Sequence, residues 1–206
     1  MRKPFSQRRF YDRLAPLYAL GQRLLPMWRR YTEVVLPWMP PTGAVLEIGP
    51  GPGLLLSKLA GRHPLAVGLD HSPGMLREAQ RCLRRAHRRT RLIRADAVHL
   101  PLAADTIDGI STTFTLGAIP DGLEAVREMA RVLRPNGVLA LVDAGYPANG
   151  NCVGNALARL WELGGDSLRD EAALMGQVGL QIVLRQEFGA FGGMRLVVAR
   201  KPPVEN

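Results

Sequence analysis

The chain predicts an α/β fold: a doubly wound sheet of seven strands, mostly parallel, ending in an antiparallel C-terminal hairpin and preceded by helices. Three observations carry this. Apolar runs of strand length alternate with helical segments between residues 44 and 144, as in strands joined by crossovers. Two further runs, "QIVLRQEF" (181–188) and "MRLVVAR" (194–200), are separated only by "GAFGG", and so short a link forces an antiparallel pair. A glycine-rich loop, "GPGPG" (49–53), follows the first strand, on the edge where open parallel sheets bind ligands.

Residues 5–39 read as two or three helical pieces, with Leu, Tyr, Trp and Val at three- and four-residue spacings and Arg between them. Pro16, Gly21, Pro26 and Pro37 interrupt the run. The turn "PPTG" (40–43) separates this helical segment, 1–40, from a core domain, 41–206. In that domain "AVLEI" (44–48) is a strand, "LLLSKLAGR" (54–62) a short helix and "LAVGLD" (65–70) a second strand. Ser72 offers an N-cap and Pro73 the first position of a helix to about Arg88. Strands follow at 90–96 and 106–114, then a helix capped by Asp121 through about Leu133, a turn "RPNG" (134–137) and a fifth strand at 138–144. "ALMGQVGL" (173–180) closes a last helix before the hairpin.

The 206 residues, 47% apolar and 22% charged, suit one globular unit with a sizeable core. No uncharged apolar run is long enough to span a bilayer, and no apolar h-region follows the basic start, so we expect neither a membrane span nor a secretory signal. Cys82 and Cys152 are isolated, and neither metal-ligand spacing nor a disulfide is expected. The net charge of +9 is uneven: eight basic residues fall in 1–40, and eight arginines against Glu78 alone in 77–94. Phosphate, on nucleic acid or on anionic lipid, is the partner such patches attract.

In the loop, Gly49, Gly51 and Gly53 bring backbone close to a ligand. The dinucleotide fingerprint G-x-G-x-x-G needs its third Gly at 54, which is Leu, and Pro50 and Pro52 lack the N–H groups a pyrophosphate wants. The loop therefore points to a ligand with little phosphate, and away from NAD. Asp70 ends the second strand, where an acid accepts from ribose hydroxyls. Asp96 ends the third, within reach of an adenine amine. With Glu47 inside the first strand, three acids fit an adenosine ligand that bears a cation.

"VLEIGPGPG", "GLDHSPGML", "RADAVHLPLAADTIDGI" and "MARVLRPNGVLALVD" together resemble the motifs of class I S-adenosylmethionine-dependent methyltransferases. They are most similar to the ubiquinone/menaquinone biosynthesis subgroup. The likeness covers about residues 44–143 in order. It implies a Rossmann-like sheet and S-adenosyl-L-methionine as cofactor, with S-adenosyl-L-homocysteine as product and no metal. It also implies roles: Glu47, Gly49, Pro50, Gly51 and Gly53 at the methionine part, and Asp70 on the ribose. His71 and Met75 would lie beside the adenine, Asp96 on its amine with Ala97 as backbone donor, and Thr112 and Thr113 near the sulfonium. Tyr11 and Tyr18 would belong to a lid. Two departures stand out. The subgroup's "LHHIPD" reads "LGAIPD" (116–121), with Gly117 and Ala118 replacing histidines, and Ala19 stands where a lid Asp is usual.

A carbon or phenol acceptor needs a base. Asp143 and Tyr146, just past the fifth strand, lie on the acceptor's edge, though Asp143 suits a strand-end cap better than a catalytic role. The N-terminal helices (Trp28, Tyr31, Trp38) and residues 146–170 (Leu157, Leu160, Trp161) are expected to roof an apolar acceptor pocket. The expected acceptor is a quinone-type ring or a phospholipid amine such as phosphatidylethanolamine. The expected location is cytoplasmic, with the basic N-terminus either packed on the core or resting on an anionic inner membrane face. The alternatives are a nucleic-acid methyltransferase, which lacks support because "STTFTL" replaces the "[DN]PP[FY]" of amino-methylating members, and a catalytically silent cofactor-binding protein.

Overall fold

Apolar strands alternating with helices are buried on both sides when the sheet lies between two helical layers. In the computed structural model, which describes residues 26–203, the chain does this. It forms α1 (Pro26–Glu33), β1 (Ala44–Ile48), α2 (Leu54–Leu59), β2 (Leu65–Asp70), α3 (Pro73–Arg85), β3 (Arg91–Arg94) and β4 (Ile107–Thr113). After these come α4 (Gly122–Val132), β5 (Leu133–Ala144), α5 (Cys152–Leu163), α6 (Glu171–Gln177), β6 (Gln181–Phe188) and β7 (Met194–Arg200). Short 3-10 turns occupy Leu36–Trp38, Leu116–Ala118 and Ala190–Gly192.

The seven strands form one sheet in the order β3-β2-β1-β4-β5-β7-β6. All pairs from β3 to β5 are parallel, and β7 is antiparallel to both β5 and β6. The winding direction reverses between β1 and β4, so the loops that follow these two strands open the crevice where such sheets bind ligands.

Side chains alternate between faces. Leu46, Ile48, Leu139, Leu141 and Val197 meet α4 and Met175 of α6. Val45, Ala140, Val142 and Val198 meet Leu55, Leu59, Val35, Leu36 and Met39 on the other face. Each fully buried leucine contributes about 1.5–3 kcal/mol. Residues 35–39 thus share a core with the strands, and Glu33 adds an ion pair to Lys58 of α2 at 2.6 Å. Tyr11 and Tyr18 lie outside the described residues. No helix among the described residues is long and apolar enough to cross a membrane.

The caps expected from sequence form: Ser72 Oγ accepts from Met75 N at 3.1 Å and Asp121 Oδ1 from Glu124 N at 3.0 Å. The hairpin pairs Gln181–Phe188 with Met194–Arg200. Two expectations need correction. "RPNG" does not precede β5 but lies inside it: Leu133 already pairs with Ile107, and pairing resumes at Val138 with Gly109. Asn136, at φ 65°, turns the extra residues out as a bulge. Residues 152–163, read only as a roof segment, form a full helix, capped by Asn151 Oδ1 accepting from Gly154 N at 2.9 Å.

Candidate active site

At the carboxyl edge of β1 the backbone turns through three left-handed glycines, Gly49 (φ 66°), Gly51 (51°) and Gly53 (81°). Gly53 also needs to be Gly for space, since a Cβ there would lie 2.8 Å from the Ala79 backbone of α3. A Cβ on Gly49 would lie 2.3 Å from Thr115, in the loop after β4. The two crevice loops therefore touch, and Thr115 Oγ1 donates to Gly49 O at 3.3 Å.

Glu47 is 1% exposed, and its Oε2 has no hydrogen-bond partner among the described residues. Burial, with the charge of Asp70 beside it, pushes its carboxyl up to about 8. In β4, Ser111 pairs in register with Glu47. Its buried Oγ is likewise without a partner among the described residues, as is Thr112 Oγ1. Because successive strand residues face opposite sides, Ser111 and Thr113 share a face with Glu47, while Thr112 lies on the other.

Asp70 and Asp96 come together at the neighbouring ends of β2 and β3. Asp70 Oδ1 accepts from Ser72 N at 2.8 Å, and Asp96 Oδ1 from Val98 N at 3.2 Å. His71, half-exposed, has its Nδ1 4.0 Å from Asp96 Oδ2. Ala97 and Met75 are buried beside them.

The roof is aromatic. Trp28 of α1 stacks on Phe114 (centroids 4.5 Å apart) and on Trp161 of α5 (5.5 Å). Phe114, the residue just past β4, sits at φ 52°, a strained backbone for a bulky side chain. Tyr31 packs edge-on against Phe188 and its hydroxyl accepts from Ala190 N at 3.1 Å, which ties α1 to the β6–β7 hairpin. Leu157 and Leu160 do not join this roof, contrary to expectation: they are 47% and 62% exposed, because α5 presents Trp161 inward and turns these two outward.

Asp143 lies on the sheet face opposite Glu47. Its carboxylate accepts from Gly117 N at 3.1 Å and Ala144 N at 2.9 Å, yet burial pushes it up to about 7. Tyr146 is exposed and donates to Glu162 Oε2 at 2.7 Å. Across β7, Arg195 pairs with buried Glu171, with Nη2 3.3 Å from Oε1, and donates to Arg169 O at 2.7 Å. Burial outweighs the attraction of Arg195 and keeps the Glu171 carboxyl above its usual range. Arg195→Met would leave that carboxyl buried without its counter-charge. It is expected to cost about 3–5 kcal/mol in urea unfolding, most of it recovered in Arg195→Met/Glu171→Leu.

Residues 46–141 match the family model described as a methyltransferase domain. The chain is 35% identical over 146 residues to a demethylmenaquinone methyltransferase of Roseiflexus sp. (strain RS-1), covering 68% of this chain and 60% of that protein. It is 34% identical over 148 residues to the ubiquinone/menaquinone biosynthesis C-methyltransferase UbiE of Syntrophotalea carbinolica, covering 69% and 62%. Residues 46–141 are thus a methyltransferase domain of the class I S-adenosylmethionine-dependent kind. Its fold matches the [4+2]-cyclase SpnF with a TM-score of 0.79, at 17% identity over 98% of this chain and 97% of that one. The chain matches about 60% of the length of the two relatives.

The geometry of this domain fits the family's cofactor. A buried carboxyl without a partner among the described residues, beside a second acid, suits an ammonium. A loop with two prolines among its glycines offers few N–H groups to phosphate. The sequence reading missed Asp166. It packs over Gly117, where a Cβ would lie 3.3 Å from that of Asp166, and the Trp161 indole nearby favours its charged form. Burial holds that carboxyl above the usual range. The one available signal was indirect: the side chain missing at Gly117 leaves room for another group.

Proposed function

We propose that this methyltransferase transfers a methyl group from S-adenosyl-L-methionine to a small lipophilic acceptor bearing a quinone-type ring, and that it works in the cytoplasm. The observation that supports this acceptor is the Trp28–Phe114–Trp161 stack at the end of β4. Flat apolar faces suit an aromatic ring. Trp28 Nε1 is buried with no hydrogen-bond partner among the described residues, a donor that an oxygen on such a ring satisfies. The names of the two relatives above point to the same chemistry.

When bound, the cofactor supplies a sulfonium methyl group open to in-line displacement. Glu47 holds the ammonium, the Gly49–Gly53 loop follows the methionine part, and Asp70 takes the ribose hydroxyls. His71, Met75, Asp96 and Ala97 surround the adenine, and Thr112 and Thr113 lie at the β4 end. Residues 1–40, with Tyr11 and Tyr18, form the lid of the 41–206 domain. The aromatic roof excludes water and aligns the acceptor. Asp143 positions the Gly117 turn, Tyr146 borders the acceptor side, and Asp166 takes the proton of a ring hydroxyl.

Methyl-tritiated cofactor is offered with a total lipid extract and, in parallel, with total RNA. Label is expected in a lipid-soluble species that survives headgroup hydrolysis. Label released with the headgroup moves the acceptor to a phospholipid amine, and label on RNA overturns the reading. Binding of S-adenosylhomocysteine without label in either pool leaves a silent cofactor-binding protein.

A further inference from the structure

Helix α5 has two unlike flanks. Gly154 and Ala158 are buried, and Trp161 stacks on Trp28. On the other side Val153, Leu157, Leu160 and Leu163 are 44%, 47%, 62% and 83% exposed. Their spacing of four, three and three residues sets them in a single stripe. Scattered exposed leucines are ordinary, but a continuous apolar stripe on one helix marks a binding surface. Arg159 borders the stripe on α5 itself, and α1, whose Trp28 stacks on Trp161, exposes Met27, Arg30 and an Arg29 that pairs with Glu33 at 2.9 Å. In sequence, residues 1–25 carry Arg2, Lys3, Arg8, Arg9, Arg13 and Arg23 against Asp12 alone.

We propose that the Val153–Leu157–Leu160–Leu163 stripe, with the exposed arginines of α5 and α1, docks the protein on an anionic lipid bilayer. Leucines on one flank of a helix enter the boundary between headgroups and acyl chains, and neighbouring arginines meet anionic headgroups. A second copy fits this surface poorly, since a two-fold contact over the stripe would bring Arg159 toward its own copy. Nucleic acid would use the arginines and leave the leucines in water. Docking brings the aromatic roof, which shares Trp161 with this helix, against the phase where a quinone-type acceptor dissolves. The proposal rests on the lipophilic acceptor for its purpose, but not for its test.

The full chain is sedimented with vesicles of phosphatidylcholine containing phosphatidylglycerol, and with phosphatidylcholine alone. Pelleting with the anionic vesicles, weakened by salt, is expected. Leu160→Glu/Leu163→Glu is expected to lower partitioning by about tenfold or more, with S-adenosylhomocysteine binding unchanged in calorimetry as proof of folding. Arg29→Glu/Arg30→Glu should lose the preference for anionic vesicles. A wild type that stays in the supernatant overturns the proposal. So does a leucine variant that pellets like the wild type, or one whose sole effect is to abolish a dimer seen by light scattering. Methylation of a detergent-dispersed quinone-type acceptor separates the two readings. Failed docking leaves that methylation intact, and a wrong acceptor leaves vesicle binding intact.

Discussion

Glu47→Gln is expected to weaken S-adenosylhomocysteine binding by about 100-fold while raising the melting temperature of the free protein at pH 8. Both effects come from one buried carboxyl. Glu47 is 1% exposed and its Oε2 is unpaired among the described residues, so its charge is costly until a cation arrives. Burial, then the charge of Asp70, raises it from 4.5 to about 8. Between those values the folded protein keeps a proton that the unfolded chain has released. Stability is therefore full below about pH 4.5 and is lost as pH rises toward 8. The loss is on the order of 5 kcal/mol. Gln is neutral throughout and escapes it. Asp143, raised to about 7, adds a slope of the same sign that persists in the variant. Binding runs the other way. An ammonium needs the ionised carboxylate, so wild-type affinity should climb with pH up to about 8 and binding should release a proton. Losing the charge of a buried pair costs about 2–5 kcal/mol, or 30- to several-thousand-fold. Calorimetry at pH 6 and 8, in buffers of different ionisation enthalpy, measures all three quantities. Affinities of wild type and variant within about threefold would remove Glu47 from the cofactor site.

What sequence could and could not reveal follows from the range of the forces involved. The strands were legible because burial on both faces writes a mostly apolar run, broken by Glu47 in Ala44–Ile48 and by Arg195 and the final Arg200 in Met194–Arg200. The caps Ser72 and Asp121 were legible because they act within three residues. The glycine loop was legible because its backbone needs left-handed φ at three positions. Helix α5 was harder: both its flanks are apolar, so the polar contrast that marks a surface helix is missing. The start of β5 was lost because Pro135, Asn136 and Gly137 read as a turn, and nothing local tells that Leu133 already pairs with Ile107. The polar groups around Asp143 were opaque for a similar reason. Arg169 reaches the Leu116 carbonyl across 53 residues, and Arg195 reaches Glu171 across 24. Asp143 suited both a catalytic and a capping reading. Its two backbone hydrogen bonds support the capping one.

Asp166→Asn is expected to lower kcat by about 100- to 10,000-fold with KM little changed. No histidine replaces the side chains absent at Gly117 and Ala118, and Asp143 is already engaged by two N–H groups. Asp166 lies over Gly117 and borders Trp161, the edge of the aromatic stack, so a ring held there would find it close by. Burial raises its proton affinity, which makes its carboxylate a stronger base than an exposed one. The wild-type rate should rise with pH as this carboxyl ionises, and the variant should lose that limb. Asn matches the shape and removes a charge that burial penalises, so melting should hold or improve. A purely structural role would instead lower the melting temperature and leave the pH profile in place. Asp166→Glu, which keeps a base on a longer arm, should restore part of the rate. If Asn alters neither rate nor profile, the acceptor needs no base, and the choice shifts from a ring hydroxyl to a nucleophile such as an amine, for which alignment under the roof suffices.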